Sequence, residues 1–177
     1  MVISELGIKL VVHYESLHDG DLTQVGLQPK MCPAGIWTVG YGRALRDAEG
    51  CWLIGEEDKG EAYAKYPSLT EAEAEKMLAE DCLYYERKIE LLNLPLKQQE
   101  FDALVSFAYN VGFSNLKSST LLKYIQKGDT SEEEITWAFE MWNKARVKDH
   151  LTALPGLTYR RHSEAHLFLT GELVFYN

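Results

Sequence analysis

The sequence predicts an α+β, mostly helical fold in one domain of 177 residues, with a small hairpin-containing N-terminal lobe and a helical C-terminal lobe. Three observations lead there. The segment Ile36 to Gly42, "IWTVGYG", alternates and is rich in β-branched and aromatic residues, with glycines where a chain turns tightly. Apolar residues fall at helical spacing over a long stretch after Thr70. They do so again almost continuously after Pro95. The lobes are therefore expected at about 1–69 and 93–177, linked by a helix at about 71–92.

Ser4 is placed to cap a first helix whose apolar positions are Leu6, Leu10, Val11 and Tyr14, and Gly20 keeps it from running further. Glu15 then sits near its C-terminal end. Residues 17–31, "LHDGDLTQVGLQPKM", show no sustained period and read as an ordered loop, followed by the hairpin strand. Residues 47–68 mix Gly, Asp, Glu and Tyr, and read as an extension of a small β-lobe. Thr70 with Glu73 forms a capping box for the long helix carrying Met77, Leu78, Cys82 and Ile89. Beyond Pro95 the chain reads as helical to the end. "KQQEFDALVSFAYNVG" stops at Gly112, "SSTLLKYIQKG" stops at Gly128, Ser131 and Glu134 make a second capping box, and Gly156 precedes a last helix through about Leu169.

Composition narrows the function classes. Apolar residues make up 46% and charged residues 25%, an ordinary globular balance that disfavours disorder. The net charge of −9, with no basic stripe, disfavours binding to nucleic acid by counterion release. Cys32, Cys51 and Cys82 cannot all pair within one chain and show no CxxC spacing, which suggests folding in a reducing compartment. No apolar run approaches the roughly 18 residues of a membrane span, and the N-terminus lacks the layout of a signal peptide. Neither export nor membrane insertion is expected from it.

A carboxyl group at a helix C-terminus faces the negative end of the helix dipole, and apolar surroundings disfavour its ionised form further. Such a group can keep the proton that glycosidic cleavage must deliver to the leaving oxygen. Glu15, beside Tyr14 and followed by a hairpin carrying Trp37 and Tyr41, is a candidate for that part. Taken alone, a glutamate at a helix end is more commonly a solvated surface residue.

The order of motifs adds specificity. "YE", "CPAGIWTVGYG", "QQEFDALVSFAYNVG", "SSTLL" and "PGLTYRRHSEAHLF" occur in succession, and the set closely resembles the lysozymes of tailed bacteriophages, glycoside hydrolase family 24, also called endolysins. The resemblance covers nearly the whole chain and is weakest over 47–68. It implies a lysozyme-like fold with a cleft for an extended polysaccharide. It also implies hydrolysis of the β-1,4 bond between N-acetylmuramic acid and N-acetylglucosamine in bacterial peptidoglycan. Members carry a Glu ending the first helix, an Asp or Cys in the next loop and a Thr six positions beyond it; Glu15, Cys32 and Thr38 match. By that match Glu15 donates the proton, and Thr38 orients a water on the opposite face of the sugar with Cys32 assisting. Tyr109 and Asn110 match cleft positions, Ser119 a glycan-contacting serine, and Arg160 an arginine that approaches the catalytic glutamate. Each has a plainer reading: helix packing for Tyr109, capping for Asn110 and Ser119.

Some positions depart from the family pattern. Cys32 is a thiol where a carboxylate is commoner, and a thiol is a poor general base near neutrality. The gap between Glu15 and Cys32 is longer than in the shortest members, bringing in Asp19 and Asp21 as alternative carboxylates. Arg43 stands where a histidine usually follows "GYG", which puts the family's ion pair there in question. The resemblance implies no metal and no organic cofactor. It implies a monomer that stays in the host cytoplasm and needs a separate holin-like membrane protein to reach the wall. Two rivals stay open: a lytic transglycosylase using Glu15 alone, and a peptidoglycan-binding module without catalysis.

Overall fold

The computed structural model describes residues 1–15, 17–128, 131–147 and 150–177. Its elements in chain order are α1 (Glu5–Tyr14), β1 (Lys30–Met31), β2 (Trp37–Val39), β3 (Arg43–Ala44), a 3₁₀ turn (Glu56–Asp58), α2 (Lys59–Lys65), α3 (Glu71–Glu90) and α4 (Gln98–Val111). There follow α5 (Phe113–Ser118), α6 (Thr120–Lys127), α7 (Glu132–Glu140), β4 (Lys144–Val147), β5 (His150–Ala153) and α8 (Pro155–Thr170). The α+β, mostly helical class expected from the sequence is the one observed.

The chain divides into two compact units, one of residues 1–14 and 82–177 and the other of residues 15–81. These boundaries differ from the lobes expected at 1–69 and 93–177. The first helix belongs with the C-terminal residues because its buried side, Gly7, Leu10 and Val11, packs on α4 and α8. Gly7 is the contact point: a Cβ there would come within 3.0 Å of the Asp102 side chain. Asp102, buried in α4, in turn accepts the backbone N–H of Ser4 at 2.9 Å and the Ser4 hydroxyl, tying the start of α1 to α4.

In the larger unit α4 is buried along every residue from Phe101 to Ala108, and the two polar residues among them are hydrogen-bonded, Asp102 to Ser4 and Ser106 to Glu164. Phe107 meets Phe139 of α7 edge to face at 5.5 Å, and Phe139 meets Phe168 of α8 at 6.0 Å. Gly112 and Gly128, both at positive φ, follow α4 and α6 as expected, and the Ser131 hydroxyl accepts the Glu134 N–H at 3.4 Å.

The expectation that everything after Pro95 is helical is wrong at Lys144–Val147 and His150–Ala153. There β4 and β5 pair antiparallel, with Ala145 opposite Thr152. The four residues of β5 are all exposed, so no alternating burial left its mark on the sequence.

The smaller unit holds a three-stranded antiparallel sheet in the order β1-β2-β3, with Lys30 opposite Thr38 and Thr38 opposite Ala44. The expected hairpin is therefore present, its two turns carried by Gly35 and by Gly40 and Gly42, all at positive φ. Residues 17–31 are ordered, as expected. Their hold on the sheet includes the His18 N–H donating to Gly40 O at 2.8 Å, and Leu27 bridging Leu69 at 2.7 and 2.9 Å. Gly20 is obligatory in that loop, since a Cβ would lie 1.9 Å from Pro29 O.

Residues 47–68, expected as a β extension, contain α2 instead. Only isolated bridges, Arg46 with Trp52 and Ile36 with Ile54, extend the sheet. The α3 capping box forms, with the Thr70 N–H donating to Glu73 at 2.8 Å and the Glu73 N–H to the Thr70 hydroxyl at 3.2 Å.

Candidate active site

The three residues matched to catalysis all lie in unit 15–81. Glu15 immediately follows α1, in a bend, with its side chain half-buried. Shortly beyond it the chain joins the sheet, where His18 bridges Gly40.

Thr38 is the middle residue of the central strand β2 and is 6% exposed. Its hydroxyl lies 2.9 Å from Lys30 O, to which it donates, and 3.0 Å from His18 Nδ1. The β-branched side chain has few rotamers in a strand, and two partners fix the one it has.

Cys32 opens the β1–β2 turn. Its N–H donates to Ile36 O and its carbonyl accepts from the Gly35 N–H, both at 2.8 Å. Cys32 is half-buried, Cys51 exposed and Cys82 buried, and none of the three forms a disulfide.

His18 is the residue that sequence reasoning missed. Burial lowers its imidazole below the ordinary histidine range, Lys30 adds to that, and the charge of Glu15 pulls the other way. It therefore sits within electrostatic reach of one candidate and in hydrogen-bond contact with another. No signal in the sequence marked it: the stretch around it has no period, and its partner lies twenty residues on.

Asp21, weighed as an alternative carboxylate, is engaged in its own loop. It accepts the Thr23 hydroxyl at 2.6 Å, the Thr23 N–H at 3.0 Å and the Gln24 amide at 2.7 Å, bonds that hold its carboxyl below the usual range. Asp19 accepts the Asp21 N–H at 3.1 Å in the same turn. Trp37 and Tyr41, expected as apolar walls, are core residues. Trp37 packs edge-on against Tyr63 at 5.9 Å and donates its indole N–H to Gly55 O at 2.7 Å. Arg43 does make an ion pair, reaching both Asp81 oxygens at 2.8 and 3.0 Å and Glu80 at 3.2 Å. An arginine here serves where the family has a histidine.

The residues matched to substrate binding lie in the other unit. Tyr109 is half-buried against Tyr85 at 5.6 Å, and Asn110 is exposed near the end of α4. Arg160 is 2% exposed and bonds Glu164 at 3.1 Å and Ser106 O at 3.2 Å. Ser119 must be corrected. It is 3% exposed and caps α6, its hydroxyl accepting the Leu122 N–H at 3.1 Å and donating to Leu116 O at 2.7 Å. Its proton is spent on the cap; the exposed neighbour in "SS" is Ser118.

A family model described as Phage lysozyme matches residues 22–164. The endolysin of Bacillus phage B103 is 36% identical over 173 residues, covering 97% of this chain and 56% of that protein, so the chain spans about half that relative's length. The endolysin of Acyrthosiphon pisum secondary endosymbiont phage 1 is 34% identical over 169 residues, covering 95% of this chain and 98% of that one. Among solved structures, the endolysin from Escherichia coli O157:H7 phage FAHEc1 matches with a TM-score of 0.74 at 28% identity, covering 98% of this chain and 97% of that one.

Proposed function

This chain belongs to the phage lysozyme family and has its lysozyme-like fold, and from that membership we propose that it is a muramidase. The bond cut is the β-1,4 linkage between N-acetylmuramic acid and N-acetylglucosamine of peptidoglycan. The observation that carries the reading is the presence, in one compact unit, of a glutamate just past a helix end and a strand hydroxyl held by two partners. Glu15 gives its proton to the glycosidic oxygen as the bond breaks. Thr38 orients a water on the opposite face of the sugar, with Cys32 assisting. Tyr109 and Asn110 contact the glycan, while Arg160, buried at 2% exposure and bonded to Glu164 and Ser106, does not reach it.

Loss of turbidity of purified cell walls is the first test, and no loss would leave only a binding module. Mass spectrometry of the fragments is the second: reducing-end products support hydrolysis, and 1,6-anhydro products would replace it with a lytic transglycosylase. In the same assay Cys32→Asp is expected to stay active and Cys32→Ser to lose more, since a serine hydroxyl is far harder to ionise. The first-formed anomer, read by NMR before mutarotation, is expected to be inverted. A retained anomer would instead assign direct attack to the thiol, and full activity in Cys32→Ser would remove it from the site.

The chain acts as a monomer and reaches the wall through a separate holin-like protein. Expression in a host with and without such a protein tests this; lysis by the chain alone would overturn it.

A further inference from the structure

We propose that His18 is a positioning residue that sets the direction of hydrogen bonding at the Thr38 hydroxyl, and so the orientation of the attacking water. This rests on the role of Thr38 given above. A hydroxyl has one proton and two lone pairs. Lys30 O, 2.9 Å away, can only accept, and takes the proton. The contact of 3.0 Å to His18 Nδ1 must then run the other way, with Nδ1–H donating to Thr38 Oγ1. One lone pair of the hydroxyl is left.

Any water bound at that lone pair has to donate to it. Its own lone pairs are thereby free to face the sugar carbon. Without His18 only the bond to Lys30 O holds the hydroxyl, and a hydroxyl so loosely held can turn and donate to the water, occupying electrons that the water needs for attack. His18 thus acts through Thr38 and need not touch the substrate.

The backbone makes this arrangement rigid. The His18 N–H is bonded to Gly40 O at 2.8 Å, on the same strand register that sets Lys30 opposite Thr38. The far side of the ring lies over Gly42, where an added Cβ would come 3.8 Å from Nε2, an ordinary contact. The charged groups acting on the ring are Lys30 and Glu15, and with burial they leave its affinity for a second proton below the usual value. Near neutrality the ring is then neutral, and the Thr38 geometry selects its Nδ1–H tautomer.

The test combines kinetics with a structural readout. His18→Leu is expected to lower kcat about ten- to a hundredfold, the scale of a misplaced reactant, with KM within about twofold. His18→Asn, whose amide N–H can stand at the position of Nδ1, is expected to recover most of that loss. Thr38→Val should be strongly impaired, and adding His18→Leu to it should cost nothing more, because the two act through one hydroxyl. Nitrogen-15 NMR of the wild type should show the Nδ1–H tautomer. If Thr38→Val is impaired while His18→Leu is folded and fully active, the His18 inference falls and the Thr38 reading stands. If Thr38→Val is fully active, the reading itself falls. An Nε2–H tautomer overturns the inference without reference to activity, and that readout still decides should His18→Leu fail to fold.

Discussion

Glu15→Gln is expected to lose at least about 10²- to 10⁴-fold of wall-degrading activity, the usual worth of a positioned general acid, with an unchanged thermal midpoint. The amide keeps the size and planarity of the carboxyl and cannot release a proton at the moment the glycosidic bond breaks. In the proposed mechanism Thr38 and its water supply the nucleophile but no acid. The leaving sugar oxygen would have to depart as an alkoxide. Stability should hold because Glu15 lies just past the end of α1, half-buried in a bend, and the amide fills the same volume as the carboxyl. Turbidity assays on purified walls beside calorimetry measure both. Near wild-type degradation by a folded Glu15→Gln would remove Glu15 from the mechanism and return the chain to the binding-module reading.

Elements that announce themselves by local chemistry are legible in the sequence. Thr70 with Glu73, Ser131 with Glu134, and the glycines after α4 and α6 each satisfy a helix end with a residue type that does little else as well. The strand around Thr38 was legible because it is buried between two others and must be apolar and β-branched. What stayed hidden depends on contacts across the chain or on surfaces that bury nothing. The β4–β5 hairpin carries no pattern because β5 is exposed on both faces. The grouping of α1 with residues 82–177 follows from Gly7 meeting Asp102 nearly a hundred residues later. Ser119 matched a motif as a glycan contact and proved to be a cap, since a serine before a helix satisfies both descriptions equally well. His18 could not be found because its meaning lies in the atom it faces, Thr38 Oγ1, and no residue type or spacing encodes that.

The second large effect is on stability, at Glu164. Arg160, Arg161 and Glu164 occupy successive turns of α8 at 2%, 0% and 0% exposure, so their charges are almost wholly removed from water. The one carboxylate accepts hydrogen bonds from Arg160 Nε at 3.1 Å, Arg161 Nη2 at 2.9 Å and the Ser106 hydroxyl of α4 at 2.7 Å, and its other oxygen lies 2.8 Å from Arg161 Nε as an ion-pair contact. Arg161 also lies over the ring of Phe107 at 4.9 Å, deep in the aromatic cluster. Glu164→Ala removes the acceptor shared by two buried guanidinium groups and opens a cavity beside them. Breaking a buried pair from one side costs about 3–5 kcal/mol, which for a chain of this size lowers the thermal midpoint by about 6–20 °C. Glu164→Gln keeps one acceptor and the volume, and should fall between Glu164→Ala and wild type. The exposed pair Lys9–Glu5 on α1 is the contrasting case, at 57% and 82% side-chain exposure; Glu5→Gln should leave the midpoint where it is, because water already screens both charges. A midpoint within about 2 °C of wild type, less than 1 kcal/mol of change, would mean that the two arginines are satisfied without Glu164 and that the α4–α8 packing alone stabilises this end of the molecule.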